Sequence, residues 1–448
     1  MWFLAAAVAL VRPKWGVALI WPAIWLYPNT ALYGTLPLNV RFDDLWIVFI
    51  FVLAVFYARG KSAAGGLLWL AVAWSLCMIV GNLAGLFVTG GIEWQQVIKS
   101  SLKTLYVPMI TYILAVFLND ERDVLNHMKA IVLAAVAAGA LGIAMVYFPR
   151  PFAAFLIPGV KVVGFQVITA QEMATAGELI SRRAQGAVGT FGLAAIMMTV
   201  SLMALSMTIY HPGRRLRLFF ALMMPLCLVA LAYTVMRGAI GGLLAAILWA
   251  ILFTRRRGVL LAVSVVGILF LLVEGGLLER VLLRVTGEAG ARETPLIASL
   301  LYRFKIWETF VENFSPVYLL TGMGMSSVLR VAKATAHNTY LGAFVYGGLL
   351  GVALLVATIA RAWGLGRRLR ACLDPLSEGL GVFMFMVLVS FMVYGITNEL
   401  FQQIGTMQLF FAAMVFAQKR LEQVREAAAS PAADSLPLEG PPEYAVAP

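Results

Sequence analysis

Charge is scarce in this chain. Only 12% of its 448 residues are Asp, Glu, Lys or Arg, about half the share in a soluble globular protein. That shortage excludes a soluble enzyme, and no soluble domain can be cut from the first 418 residues. The alternating short strands of a membrane barrel are missing too, which excludes that architecture. There are three cysteines, Cys77, Cys227 and Cys372. The first two lie in apolar runs and the third beside a basic cluster; none has metal-ligand spacing and none suggests a disulfide. The N-terminus lacks a basic leader and a small-residue cleavage site, so it is expected to stay in the membrane. No repeat of about 20–50 residues is evident.

What is present is long apolar sequence: 62% of residues are hydrophobic and the mean hydropathy is +0.89. In lipid the backbone must satisfy its own hydrogen bonds, so these runs become helices. Spans are expected at about Leu45–Tyr57, Leu67–Phe87, Leu102–Leu118, Ala130–Phe148, Phe191–Tyr210, Leu218–Val235, Ala239–Phe253, Val259–Val273, Asn338–Ala362, Leu380–Tyr394 and Met407–Phe416. The stretch Trp2–Tyr27 is broken by Arg12, Pro13 and Lys14, giving two short helices or a re-entrant pair. The expected fold is all-α: a polytopic transmembrane bundle of about 12–13 spans with a long, partly helical extracytoplasmic loop. Residues 1–426 form the membrane domain, and the Ala-, Pro- and Glu-rich tail 427–448 reads as disordered and cytoplasmic.

The net charge is +12. Nucleic acid is not the expected partner, because the positive charge sits in short loops between apolar runs. Arg214-Arg215-Leu216-Arg217, Arg255-Arg256-Arg257 and Arg367-Arg368-Leu369-Arg370 are therefore assigned to the cytoplasm. Linkers 28–42, 88–100, 148–188, 274–337 and 395–406 then face outward, as does the turn at Met236-Arg237-Gly238. The outer face also carries Arg182, Arg183, Arg237, Arg280, Arg284, Arg292, Arg303, Lys305, Arg330 and Lys333, most of them in loop 274–337. Loops of that length are commonly functional or disordered. This one contains an amphipathic stretch, Leu300–Phe314, suited to the membrane surface.

Of three histidines, His127 and His211 fall at cytoplasmic loop ends and only His337 faces outward, at the start of a span. A helix N-terminus favours the neutral imidazole, which near pH 7 can act as a general base; the alternative is a surface or capping histidine. Arg237, between two apolar spans, needs a partner there, and Gly238, Gly241 and Gly242 after it permit close helix packing. Guanidinium groups hold phosphate oxygens in pairs, so Arg237 and Arg303 could grip a pyrophosphate. The alternative for Arg303 is an interfacial residue paired with Glu308 or with headgroups. Gly322-Met323-Gly324-Met325 has no lysine after it and reads as a tight turn, not a phosphate loop. Asp43 and Asp44 could bind a divalent cation, or pair with Arg41 and cap a helix; Glu399 could act similarly.

Taken in order, Arg303-x-x-x-Trp307, Thr321-Gly322-Met323-Gly324, His337-Asn338-Thr339-Tyr340-Leu341 and Gly347-Gly348-Leu349-Leu350-Gly351 resemble the C-terminal signature of the O-antigen ligase and Wzy-type polysaccharide polymerase superfamily. Arg237-Gly238 resembles its upstream arginine, and Arg183-Ala184-Gln185-Gly186 with Gly189-Thr190-Phe191-Gly192 its earlier loop motif. After those glycines the chain departs from the family, with Leu193-Ala194-Ala195. The likeness spans roughly residues 180–355. It implies an inner-membrane inverting glycosyltransferase, facing the periplasm, that takes a glycan from undecaprenyl pyrophosphate without metal or cofactor. It implies His337 as base, and Arg237 and Arg303 on the leaving pyrophosphate. Arg182, Arg183, Trp307, Asn338 and Tyr340 are implied as substrate contacts. The acceptor is another repeat unit for a polymerase, slightly favoured, or lipid A-core or protein for a ligase. A lipid-linked oligosaccharide flippase and a non-catalytic scaffold are the readings from other classes.

Overall fold

The computed structural model describes residues 2–26, 42–58, 65–89, 94–148, 161–163, 166–168, 189–258, 260–262, 265, 296–325, 327–328 and 335–429. Apart from a hairpin of two three-residue strands, Lys161–Val163 antiparallel to Gln166–Ile168, its regular structure is helical. The hairpin falls in a linker expected to be irregular, at two short runs rich in valine, a residue that favours strands. Most of Val259–Val273, all of 274–295 and residues 430–448 lie outside the described residues.

The N-terminal stretch is three short helices, α1 (Trp2–Val11), α2 (Pro13–Ala18) and α3 (Ile20–Leu26). They break where Arg12, Pro13 and Lys14 stand. At about 1.5 Å per residue α1 reaches only half of a bilayer core. Next come α4 (Phe42–Tyr57), α5 (Gly65–Thr89), α6 (Trp94–Thr104), α7 (Tyr106–Phe117) and α8 (Glu121–Tyr147). The second half contains α9 (Gly189–Tyr210), α10 (Arg214–Thr234), α11 (Arg237–Phe253), α12 (Leu296–Glu312), α13 (Thr339–Ala371), α14 (Pro375–Gly395) and α15 (Ile404–Ala429). Among the described residues seven helical stretches are long and apolar enough to cross a membrane, and α11 is a shorter apolar helix. The chain is thus a helical bundle with the makings of a multi-pass membrane protein. Helix α9 is innermost, 89% of its span buried; it packs on α10 and α14, while α11 and α13 also lie on α14. The last helix runs on to Ala429, three residues past the expected start of the tail.

Polar contacts gather the basic loops at one end. Arg420 joins Glu121, Asp374 and Ser377 at 2.5–3.0 Å. Lys14 pairs with Asp123 at 2.6 Å. Arg256 donates to the Ile209 carbonyl and Arg370 to that of Phe253. Asp120 and Asp374 cap α8 and α14 at this end by accepting from Asp123 and Ser377, each cap contributing about 1 kcal/mol.

At the other end α13 is broken. It has 33 residues, about 50 Å of helix, longer than a bilayer core. Gly348 interrupts it with φ +60°, in a region open to glycine and hostile to a Cβ. The amide groups freed near the break find partners in the preceding loop. Leu349 N–H donates to Leu319 O at 2.9 Å and Leu350 N–H to Leu320 O at 3.3 Å, while Met323 N–H donates to Val345 O at 2.8 Å. Gly322 and Gly324 turn this loop with φ +69° and +68°, so the Gly-Met-Gly-Met segment is the tight turn its sequence suggests. Irregular backbone at this depth is tolerated because protein encloses it.

Candidate functional site

The segment that unites the site is Ile396–Gln403, between α14 and α15. Thr339 Oγ1 donates to Asn398 O at 2.7 Å and accepts from Leu400 N–H at 2.8 Å. Trp74 of α5 donates to Phe401 O at 3.1 Å. Asn338 donates its amide to Ile396 O at 3.0 Å, and its oxygen caps α13 by accepting from Tyr340 and Leu341 N–H. Buried in this segment is Glu399, 4% exposed. One carboxylate oxygen accepts from His337 N–H at 2.7 Å and from Tyr346 O–H at 2.9 Å. The Tyr346 oxygen in turn accepts from Ala336 N–H at 3.3 Å.

His337 is thereby held with φ +49°. A non-glycine residue with positive φ is uncommon; such conformations persist where the surroundings over-determine them, and they gather at functional sites. The half-buried imidazole lies 6.3 Å, ring to ring, from Phe191, whose side chain is 40% exposed. Burial, and then the positive charge of Arg303, lower its pKa from the usual 6.5. The neutral form expected from the sequence is therefore favoured, but by burial and a neighbouring cation.

The arginines arrive from two other elements. Arg303 and Trp307 are one turn apart on α12 and so share a face. Trp307 donates its indole N–H to Ala336 O at 2.8 Å, which brings that face to the His337 turn. Ile306 and Phe310 are buried beneath α12, while Leu301, Tyr302, Phe304 and Val311 are exposed, so both faces of this helix carry apolar side chains. Arg237 opens α11, just after Val235 turns the chain in the left-handed conformation at φ +53°. Its neighbour Gly238 has no room for a side chain against Tyr394 and Thr397, so α11 starts flush with the Ile396–Gln403 segment. Arg237 lowers the pKa of Arg303, after burial, as Arg303 does that of His337. Arg237 thus lies near Arg303, and Arg303 near His337. Arg237 Nη1 is buried and has no acceptor among the described residues. Such a donor carries a penalty of about 1–3 kcal/mol or more when charged, which an incoming anion would relieve.

The other predicted residues divide clearly. Trp307, Asn338 and Tyr340 lie at the site, but their polar groups have internal partners; Tyr340 O–H donates to Met392 O at 2.7 Å. Arg182, Arg183 and Arg330 lie outside the described residues. Asp43 and Asp44 sit buried in the first turn of α4, which packs chiefly on α2, α3 and α7, not on the helices bearing His337 or Arg237. Among the described residues no three His, Cys, Asp or Glu gather as metal ligands. His127 accepts from Trp21 N–H at 2.7 Å inside the bundle.

Sequence reasoning missed Glu399 as the anchor of the His337 turn, having weighed it only as a possible metal ligand. Its signal was the run Asn398-Glu399 with Gln402-Gln403 between apolar spans, too polar for a mere turn.

Two pH responses follow. Carbethoxylation of His337, followed by mass spectrometry, titrates with a midpoint below 6.5, and Arg303→Gln moves that midpoint upward by removing a like charge. An unmoved midpoint would separate Arg303 from the imidazole. Burial raises Glu399 from 4.5 to about 7 against the opposing hydrogen bonds from Tyr346 and His337. A raised carboxyl favours the folded state most below 4.5, and that contribution is lost as pH rises through about 7. The loss is on the order of 3 kcal/mol. The thermal midpoint in detergent therefore falls from pH 5 to pH 8, and falls less in Glu399→Gln. Parallel curves for the two proteins would contradict this.

No protein-family model matches the chain, and a search of curated proteins returns no match.

Proposed function

We propose that this chain is a bacterial inner-membrane glycosyltransferase of the O-antigen ligase and polymerase type, moving a glycan from undecaprenyl pyrophosphate to an acceptor hydroxyl on the periplasmic side. The observation that carries the reading is the charge-coupled set of Arg237, Arg303 and His337, drawn from three separate elements at the end of the bundle away from the basic loops.

The chemistry suits these residues. The acceptor hydroxyl loses its proton to the neutral His337 as its oxygen attacks the anomeric carbon. The bond to the pyrophosphate breaks on the opposite face, so configuration inverts. Charge developing on the pyrophosphate meets Arg237 and Arg303, where preorganised donors are most effective. The exposed ring of Phe191 and the apolar face of α12 line the approach from the membrane surface. The site is basic and Glu399, the carboxylate found at it among the described residues, is occupied by protein donors, so transfer is expected to survive excess chelator. A flippase would need polar groups along its spans; a scaffold would not need the histidine or the arginines.

The deciding experiment is transfer from a purified lipid-linked oligosaccharide to an acceptor. In cells, a deletion that leaves one repeat unit on its acceptor marks a polymerase, and one that leaves none marks a ligase. The sidedness has its own test. In spheroplasts an impermeant thiol reagent labels Val317→Cys, an exposed position at the His337 end, and spares Gly258→Cys. The reverse pattern would put the site in the cytoplasm, where no lipid-linked periplasmic donor could reach it.

A further inference from the structure

We propose that Glu399, acting with the Tyr346 hydroxyl, is the positioning residue for the base, holding His337 in the left-handed conformation that sets its imidazole beside Arg303. The inference rests on the glycosyl-transfer reading for what His337 does, but not for how it is held.

Three observations carry it. The first is convergence: one Glu399 oxygen takes donors from His337 N–H and Tyr346 O–H, so one carboxylate ties the turn to the helix that follows it. The second is strain: His337 occupies φ +49°, a conformation that needs external restraint in a non-glycine residue. The third is that the restraint is doubled. Tyr346 reaches back from one helical stretch further on, accepting from Ala336 N–H and donating to Glu399, while Trp307 holds the Ala336 carbonyl from α12. Both faces of the Ala336–His337 peptide region are pinned, and the imidazole alone is left to work. Glu399 bonds the backbone of His337, not its ring, so it acts through placement and takes no proton from substrate.

The variants Glu399→Ala, Glu399→Gln and Tyr346→Phe separate these roles. Gln keeps an oxygen for His337 N–H and Tyr346 O–H but replaces the second carboxylate oxygen with a donor. Tyr346→Phe removes one hydroxyl from an otherwise apolar contact and guards against simple unfolding. Two measurements are made on the full-length protein in nanodiscs. One is the carbethoxylation rate of His337, with His211 as internal reference. The other is kcat and KM with an undecaprenyl-pyrophosphate-linked oligosaccharide.

In Glu399→Ala the labelling rate of His337 changes by at least about threefold relative to His211. There kcat falls by about tenfold or more, roughly a displacement of the base from its reacting geometry, while donor KM stays within about twofold. Tyr346→Phe and Glu399→Gln fall between that variant and the native chain. Unchanged labelling and kcat in all three would overturn the proposal, as would a loss expressed wholly in KM. Shifted labelling in a protein whose transfer survives His337→Ala would leave the turn held as described and overturn the glycosyl-transfer reading instead.

Discussion

Replacing His337 with alanine lowers glycan transfer by about 10²–10⁴-fold, the usual contribution of a general base. Two features of the turn shape that expectation. His337 sits at φ +49°, so alanine there loses the imidazole and also meets backbone strain. Asparagine tolerates the left-handed region better and offers no base of suitable pKa. His337→Asn therefore keeps the turn and loses the chemistry, and the two variants should be equally inactive while Asn is the better folded. The measurement is initial rate with a purified lipid-linked donor at matched protein levels, together with the thermal midpoint of each variant. An asparagine variant with native activity would return His337 to a capping role.

The second large effect belongs to the arginines. Removing one preorganised donor from developing negative charge costs about 10²–10³-fold in kcat. Arg237 should exceed Arg303 in sensitivity, because its Nη1 is buried without an acceptor among the described residues and its helix starts flush against Thr397. Lysine supplies charge but not two oriented N–H groups, so Lys at either site should be much worse than Arg and better than Ala. Equal activity of the Lys and Arg forms would mean that the charges only steer the donor. Unchanged activity of both Ala forms would place the pyrophosphate elsewhere, with Arg182 and Arg183 the next candidates.

The helices were legible in the sequence because the bilayer demands length and apolarity at once. The starts of α9, α10 and α11 fall within a few residues of expectation, since Gly, Arg and the Arg237 junction interrupt the hydropathy sharply. The gathering of Arg237, Arg303 and His337 was legible only through order and sidedness, which say that residues share a compartment and not that they touch. What brings them together was not legible. Glu399 meets His337 across a separation of 62 residues, and no local pattern announces a partner so distant. The mutual bonding of the two glycine motifs was hidden as well: Gly348 looks like a packing glycine until the Leu319–Met323 backbone is seen bonding to the break. Trp307 looked like a sugar platform, and its indole N–H proves to be a tie between α12 and Ala336.

That separation of 62 residues between His337 and its anchor also orders events during synthesis. The Leu319–Met323 loop and the Gly348 break can dock as soon as both have left the ribosome, since they lie close in the chain. His337 is made with them, but its carboxylate partner is not. At about 5–20 residues per second, Glu399 follows several seconds later, on the linker before α15. A nascent or truncated chain ending before residue 395 would already possess its histidine and both arginines. It would lack the clamp that aligns the base. The contact between Glu399 and the His337 turn is thus completed only late in translation, once the segment between α14 and α15 has been made.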